Sequence, residues 1–452
     1  MESILFKTNI GSFIGNIREN SNEFLGIKYA NAKRFEYAEI IDKYGENVDC
    51  TKKGSTCMQK RAYREFEHLE VKERAFYHKE FRENICFKYS EEDSLILNIY
   101  TPKEKGTYPV IIFLHGGGFD SGSISESPFD GDELARRGNV VVFVQYRVGV
   151  FGYFTHESIY EKYHHDGNFG LDDMITSIRW VKNNIDEFYG DNNNITLMGQ
   201  SAGAMSIQYM LCSKMMDGMF QKAIMMSGAG LFPKFTLPRE YLDTREYWHQ
   251  VMQIAGSETL DEFKALSDYE ILRAVEIQKA LRKDNTYNTM PVIDDYILTE
   301  PIDKAIENPM NVPTMIGITN NDMFTIILAG ISKKYAKKNH AYLYYFDINA
   351  KGDNNLAFHS SDLRYAFGSL KTSWRPYSES DYRTSSILMD YISNFAKTGN
   401  PNGESLEKWD TYTNKAMHFT DSYNKMERIK NFKLILNTFK GDPKWNGTTN
   451  LN

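Results

Sequence analysis

Short runs of apolar and β-branched residues recur along this chain, each followed by a stretch with helical periodicity. That alternation restricts the fold more than any other feature. Residues 110–114, 140–144, 195–198, 223–226, 314–318 and 342–346 read as strands. Within 172–188, Ile175, Ile178, Val181, Ile185 and Phe188 recur in steps of three and four, forming one face of a helix. Residues 386–397 repeat the pattern with Leu388, Tyr391, Ile392 and Phe395, then stop at Thr398-Gly-Asn-Pro401. Strands that are apolar throughout need cover on both faces. The expected fold class is therefore α/β, a mostly parallel central sheet with helices on both sides. The length of 452 residues would allow two or three domains, but no Pro/Gly/Ser linker divides the chain. One domain over 1–452 is expected, with a helical insertion at about 238–287 forming part of a cap.

Composition narrows the function classes. With 41% apolar residues, 28 Phe and 29 Tyr, the chain can build a large core and is neither disordered nor fibrous. A net charge of −7 without a long basic run gives no electrostatic case for nucleic acid or an anionic membrane. No stretch reaches the roughly 18 apolar residues of a membrane span, and the first residues carry no signal-peptide pattern. Four cysteines are too few for a disulfide scaffold, so reduced thiols and a cytoplasmic protein are expected. There is no H-E-x-x-H, no paired C-x-x-C and no phosphate loop, so no metal or cofactor is expected. The sequence leaves both a monomer and a homodimer open.

The most informative stretch is Asn194-Ile-Thr-Leu-Met-Gly-Gln-Ser-Ala-Gly-Ala204. A strand runs into Gly199-Gln-Ser-Ala-Gly203 and a helix starts near Ala202, the strand–turn–helix setting that gives G-x-S-x-G its meaning. The sharp turn needs small neighbours and lifts the Ser201 hydroxyl clear of the sheet. Taken alone, the five residues could be a plain turn whose serine caps a helix. A second motif changes the balance. The strand before His115 is followed by Gly116, Gly117 and Gly118, then Phe119. Three glycines after a core strand leave backbone N–H groups able to face an oxyanion. Gly117, Gly118 and Ala202 are the expected donors, and the two motifs together point to acyl transfer by a serine nucleophile.

An α/β-hydrolase orders its triad Ser, acid, His along the chain. His340, His359 and His418 follow the elbow with room for an acid between. His340 opens a strand and His418 lies near the carboxy end. His359 sits in a loop after a strand, where a general base belongs. Asp322 is the first carboxylate after the strand 314–318. Asp294 and Asp295 precede that strand, while Asp347 and Asp353 crowd His359.

These residues resemble the type B carboxylesterases, the group that includes cholinesterases and bacterial para-nitrobenzyl esterases. The likeness runs through Glu91-Glu-Asp-Ser-Leu-Ile-Leu-Asn-Ile99, His115-Gly-Gly-Gly-Phe119, Tyr146-Arg-Val-Gly-Val-Phe-Gly152, Gly199-Gln-Ser-Ala-Gly-Ala204 and Asn394-Phe-Ala-Lys-Thr-Gly-Asn-Pro-Asn-Gly403. It implies an α/β-hydrolase fold and a serine carboxylester hydrolase acting on small to medium esters through an acyl-enzyme. It places the triad on Ser201, Asp322 and His359. It also implies structural ion pairs of Arg147 with Asp173 and Arg34 with Glu92. Gln200, Phe119, Phe151, Phe232 and Met290 lie in segments that in relatives approach the substrate.

The departures are informative. Gln200 stands where the family usually has Glu, and Asp322 where it usually has the longer Glu. Ser94 occupies the second cysteine position of the family disulfide; Cys57 could in principle meet Cys86, but reduced thiols are expected. Asp322 and His359 are only 37 positions apart, where larger relatives carry a helical wall. A shortened cap and a more open, shallower acyl site are expected. Two rivals are a feruloyl or cinnamoyl esterase, and a non-catalytic cholinesterase-like binding protein. Members of the latter class lose a triad residue, whereas all three candidates are present here.

Overall fold

The computed structural model of the chain describes residues 2–66, 71–82, 87–230, 237–282, 288–322, 325–353 and 355–429. A 13-stranded sheet runs through it. Its strands follow in the chain as β1 (Ser3–Thr8), β2 (Gly11–Ile17), β3 (Ser21–Lys28), β4 (Ile96–Pro102), β5 (Tyr108–Leu114) and β6 (Val140–Val144). After these come β7 (Gly190–Gln200), β8 (Lys222–Met226), β9 (Thr314–Thr319), β10 (Tyr342–Asp347), β11 (Ala416–Thr420) and β12 (Asn424–Glu427). The short strand Val48–Asp49 adds to β2. Across the sheet the order is β1-β2-β3-β4-β6-β5-β7-β8-β9-β10-β11-β12. Neighbours from β6 through to β11 are parallel, and the flanking strands are antiparallel.

The pleat explains why the central strands lack a polar face. Along β5 and β6, Val110, Ile112, Leu114, Val140, Val142 and Val144 belong to one core, while Ile111, Phe113, Val141 and Phe143 belong to another. Helices α1 (Phe169–Asn184) and α2 (Ala202–Leu211) cover the first face with Ile175, Ile178, Val181, Ile207 and Met210. The second face receives Leu388, Tyr391, Ile392 and Phe395 from a 20-residue helix, Glu379–Thr398. Each large apolar side chain so buried contributes about 1.5–3 kcal/mol. The result is a helix–sheet–helix sandwich with an α/β-hydrolase strand arrangement.

In the region read as a helical insertion lie α3 (Tyr241–Ile254), α4 (Leu260–Ala265) and α5 (Asp268–Leu281). Thr259 with Glu262 and Ser267 with Glu270 form capping boxes that start α4 and α5. These helices build a third core: Trp248, Val251, Phe263 and Ile271 pack around Phe35, Phe151, Phe154 and Phe169. Among the described residues, no helix is long and apolar enough to cross a membrane.

Arg147 meets Asp173 as the resemblance implies, with Nε–Oδ2 of 2.8 Å and Nη2–Oδ1 of 2.7 Å in a buried setting. The other implied pair is corrected. Arg34 makes a two-pronged contact with Glu91, Nε to Oε2 at 2.8 Å, while Glu92 is exposed. Nη1 of Arg34 donates to the carbonyls of Lys264 and Leu266, and this anchors the guanidinium with its other edge toward Glu91. Cys57 is a free, buried thiol. Cys86 lies outside the described residues.

Candidate active site

The chemistry-bearing residues sit beyond the carboxyl ends of parallel strands, where open α/β sheets hold their ligands. Ser201 directly follows β7 with φ 54° and ψ −122°, a strained backbone for a residue with a side chain. Its N–H donates to the Met226 carbonyl at 2.8 Å, which ties the turn to β8. Gly203 lets the turn close: a Cβ there would lie 2.1 Å from the Leu114 carbonyl oxygen. Helix α2 thereby begins immediately at Ala202, against the end of β5.

The loop after β5 is fixed from both sides. The buried His115 ring stacks on Tyr146 with 4.2 Å between centroids, and its carbonyl accepts from the Tyr146 hydroxyl at 2.6 Å. Burial pushes the His115 imidazole down to about 4, so it is neutral. Gly117 has φ 120°, and a Cβ on it would come within 1.9 Å of the Ser121 oxygen. The Gly117 carbonyl accepts from the N–H groups of Asp120 and Ser121. Gly118 and Phe119 continue with φ 63° and 60°. Asp120 takes the ammonium groups of Lys60 and of Lys279 on α5, which fastens this loop to the insertion.

Asp322 lies just past β9 and His359 in the loop after β10; the structure brings them together with Nδ1–Oδ1 of 2.5 Å. Asp322 is fully buried. Burial opposes its charge, yet His359, the Ser227 hydroxyl and the Thr319 N–H together hold the carboxyl below its ordinary range. Nδ1 of His359 must then carry a proton, and Nε2 faces the Gln200 side-chain nitrogen at 3.0 Å. Among the described residues, the Ser201 hydroxyl makes no hydrogen bond to this imidazole.

The other candidates have different surroundings. His340 occupies an exposed turn with φ 49°. His418 is buried between Asp347, at 3.0 Å, and Glu427. Asp294 accepts three N–H groups of its own turn, from Tyr296, Ile297 and Leu298. Asp353 receives Arg375. Phe119 and Met290 are buried in the main core and Phe151 in the third. Phe232 lies outside the described residues. Ser227 was not legible as a site residue; its signal was a strand ending in Ser227-Gly-Ala-Gly230, with φ 52° at the serine.

The described residues hold one His/carboxylate cluster with metal-like spacing, His156, Glu157 and His249. Nδ1 of His156 accepts from the Ser158 N–H at 3.1 Å, so its Nε2 carries the ring proton toward Glu157. That hydrogen-bonded cap is a poor fit to a metal ligand set, which needs a lone pair on Nε2.

The sequence profile of the carboxylesterase family matches residues 2–339 and 324–434. A para-nitrobenzyl esterase of Bacillus subtilis (strain 168) is 28% identical over 90% of this chain and 92% of its own length. Carboxylesterase 5A of Felis catus is 29% identical over 72% and 73%. Among solved structures, a PNB esterase superposes with a TM-score of 0.81 at 24% identity, covering 96% of this chain and 98% of that one. A thermophilic PNB esterase gives 0.80 at 24% identity, over 95% and 99%. With the profile spanning most of the chain and the same fold on its solved counterparts, the chain belongs to the carboxylesterase family and is a carboxylic ester hydrolase of α/β-hydrolase fold.

Proposed function

We propose that the chain cleaves small to medium carboxylic esters through an acyl-enzyme on Ser201, with His359 as general base and Asp322 as its orienting acid. The observation that carries this is the 2.5 Å contact of His359 with a buried, charged Asp322, beside a serine held on a strained strand–helix turn. Ser201 Oγ attacks the acyl carbonyl and its proton passes to Nε2 of His359. Asp322 keeps Nδ1 protonated and stabilises the imidazolium. The N–H groups of Gly117, Gly118 and Ala202 are the proposed oxyanion donors, each worth about 2.7–4 kcal/mol in a site of this kind. The imidazolium then protonates the leaving alcohol. Water, deprotonated by His359, frees the acid and restores Ser201.

The same reading takes 1–452 as one domain, supported by the convergence of Ser201, Asp322 and His359 from three strands of one sheet. It takes the chain as cytoplasmic, supported by the free thiols Cys50, Cys57 and Cys212. It also takes the acyl site as open, because only 37 positions separate Asp322 from His359.

Replacing Ser201 by Ala is expected to abolish para-nitrophenyl butyrate turnover without lowering the melting temperature; retained turnover overturns the mechanism. Hydrolysis of esters of rising acyl length tests the open site, and a sharp cutoff after short chains counts against it.

A further inference from the structure

We propose that Gln200 is a positioning residue that holds the His359 imidazole as a proton acceptor by donating its amide N–H to Nε2; this rests on the roles given above to Ser201, His359 and Asp322. The geometry leaves little choice of donor and acceptor. Asp322 takes the proton side of Nδ1 at 2.5 Å, so the neutral ring presents a lone pair at Nε2. The group 3.0 Å from that lone pair is the Gln200 side-chain nitrogen, which has two N–H bonds to give. Gln200 is itself buried, and its amide oxygen is turned the other way: a Cβ added to Gly116 would lie 2.5 Å from Oε1. The side chain thus spans the space between the glycine loop and the base.

A carboxylate at position 200 could not do this. Having no N–H, it would favour a proton on Nε2, so that the ring offers a lone pair to Ser201 only at higher pH, in keeping with the Glu usual at this position in the family. Among the described residues, Asp322 contacts the ring, and Asp362, at the start of the following helix, acts on it electrostatically. Position 200 therefore decides whether two or three carboxylates surround the base. In the reacting complex Gln200 releases the lone pair to Ser201.

The test uses the full chain with Q200E and Q200M. kcat/KM for para-nitrophenyl butyrate is measured from about pH 5 to 9, together with stoichiometric labelling of Ser201 by a fluorophosphonate. Q200E is expected to label fully at the alkaline end while the acid side of its profile moves up by about 1–2 pH units. Q200M is expected to raise the acid midpoint by a smaller step than Q200E, because the neutral ring loses its donor but gains no charge beside it, and to keep the wild-type KM. Profiles of Q200E or of Q200M that superimpose on wild type overturn the role of Gln200. Failure of the wild-type chain to label at Ser201 instead overturns the reading of the site, and the role of Gln200 with it.

Discussion

Glu80 Oε2 accepts from Nε of Arg375 at 2.7 Å, across 295 positions of the chain and with both side chains almost wholly buried. Arg364 Nε lies 3.3 Å from the other oxygen of Glu80, and the remaining edge of Arg375 is bound by Asp353. Asp353 and Arg364 flank His359 in sequence, so this cluster grips the loop that carries His359. Replacing Glu80 by Ala leaves two buried guanidinium groups without their shared carboxylate. A loss of about 3–5 kcal/mol is expected, read by urea unfolding, together with a fall in kcat. An unchanged unfolding midpoint would count against this grip.

That contact was not readable from sequence, for a physical reason. What sequence carries well is local: the apolar runs of β5 to β10 and the periodicity of α1 and of the helix Glu379–Thr398 each follow from residues within one element. Residues 190–194 lie outside the apolar run read as a strand yet belong to β7, because Gly190 pairs with Tyr108 and the ladder resumes at Ile195 after an irregularity. The strand β1 is largely exposed, and β2 and β3 mix Gly, Ser, Asn and Glu among their apolar residues, so all three signal weakly. At the site, the Ser201 turn and the glycine loop are short-range motifs, and chain order singled out Asp322 and His359. The contacts of Ser227 with Asp322 and of Gln200 with His359 join separate loops, so no spacing encodes them. Glu91 and Glu92 are adjacent, and only the packing of Arg34 on the carbonyls of α4 and Leu266 selects between them.

Ser227 holds Asp322 from the side opposite His359, its hydroxyl donating to Asp322 Oδ2. Removing a hydrogen bond to a buried carboxylate typically costs about 1.5–3 kcal/mol. Ser227→Ala should lower kcat about 10-fold with little change in KM, because in the proposed mechanism the bond acts on His359 through Asp322 and not on the ester. Steady-state kinetics on para-nitrophenyl butyrate read this, and an equal rise in KM would argue for a binding role instead.

Gly203 is where α2 crosses the end of β5, and the Leu114 oxygen occupies the space a side chain would need. Gly203→Ala should therefore push the helix start, and Ser201 with it, away from the glycine loop. Overpacking of this kind costs about 1–3 kcal/mol. The expected outcome is a lower melting temperature and a larger fractional loss of kcat than of folded protein. Wild-type activity in this variant would show that the elbow tolerates a wider gap than its geometry implies.

Asp294 supplies a prediction about pH. Burial lifts its carboxyl from 3.8 to about 6, only partly offset by the turn N–H groups that its Oδ1 accepts. The Asn168 side chain also lowers it, while among the described residues its buried Oδ2 meets no donor at full hydrogen-bond geometry. An acid whose pKa is raised on folding binds more protons in the native than in the unfolded state between the two values. Its contribution to stability is thus fully present below about 3.8 and is lost as pH rises through about 6. Asn at this position keeps an oxygen for the turn and removes the charge. Asp294→Asn should gain on wild type as pH climbs from about 4 to 7, by at most about 2–3 kcal/mol. Melting curves of both proteins across that range decide the matter, because parallel pH dependences would mean that Asp294 ionises in the folded chain as readily as in the unfolded one.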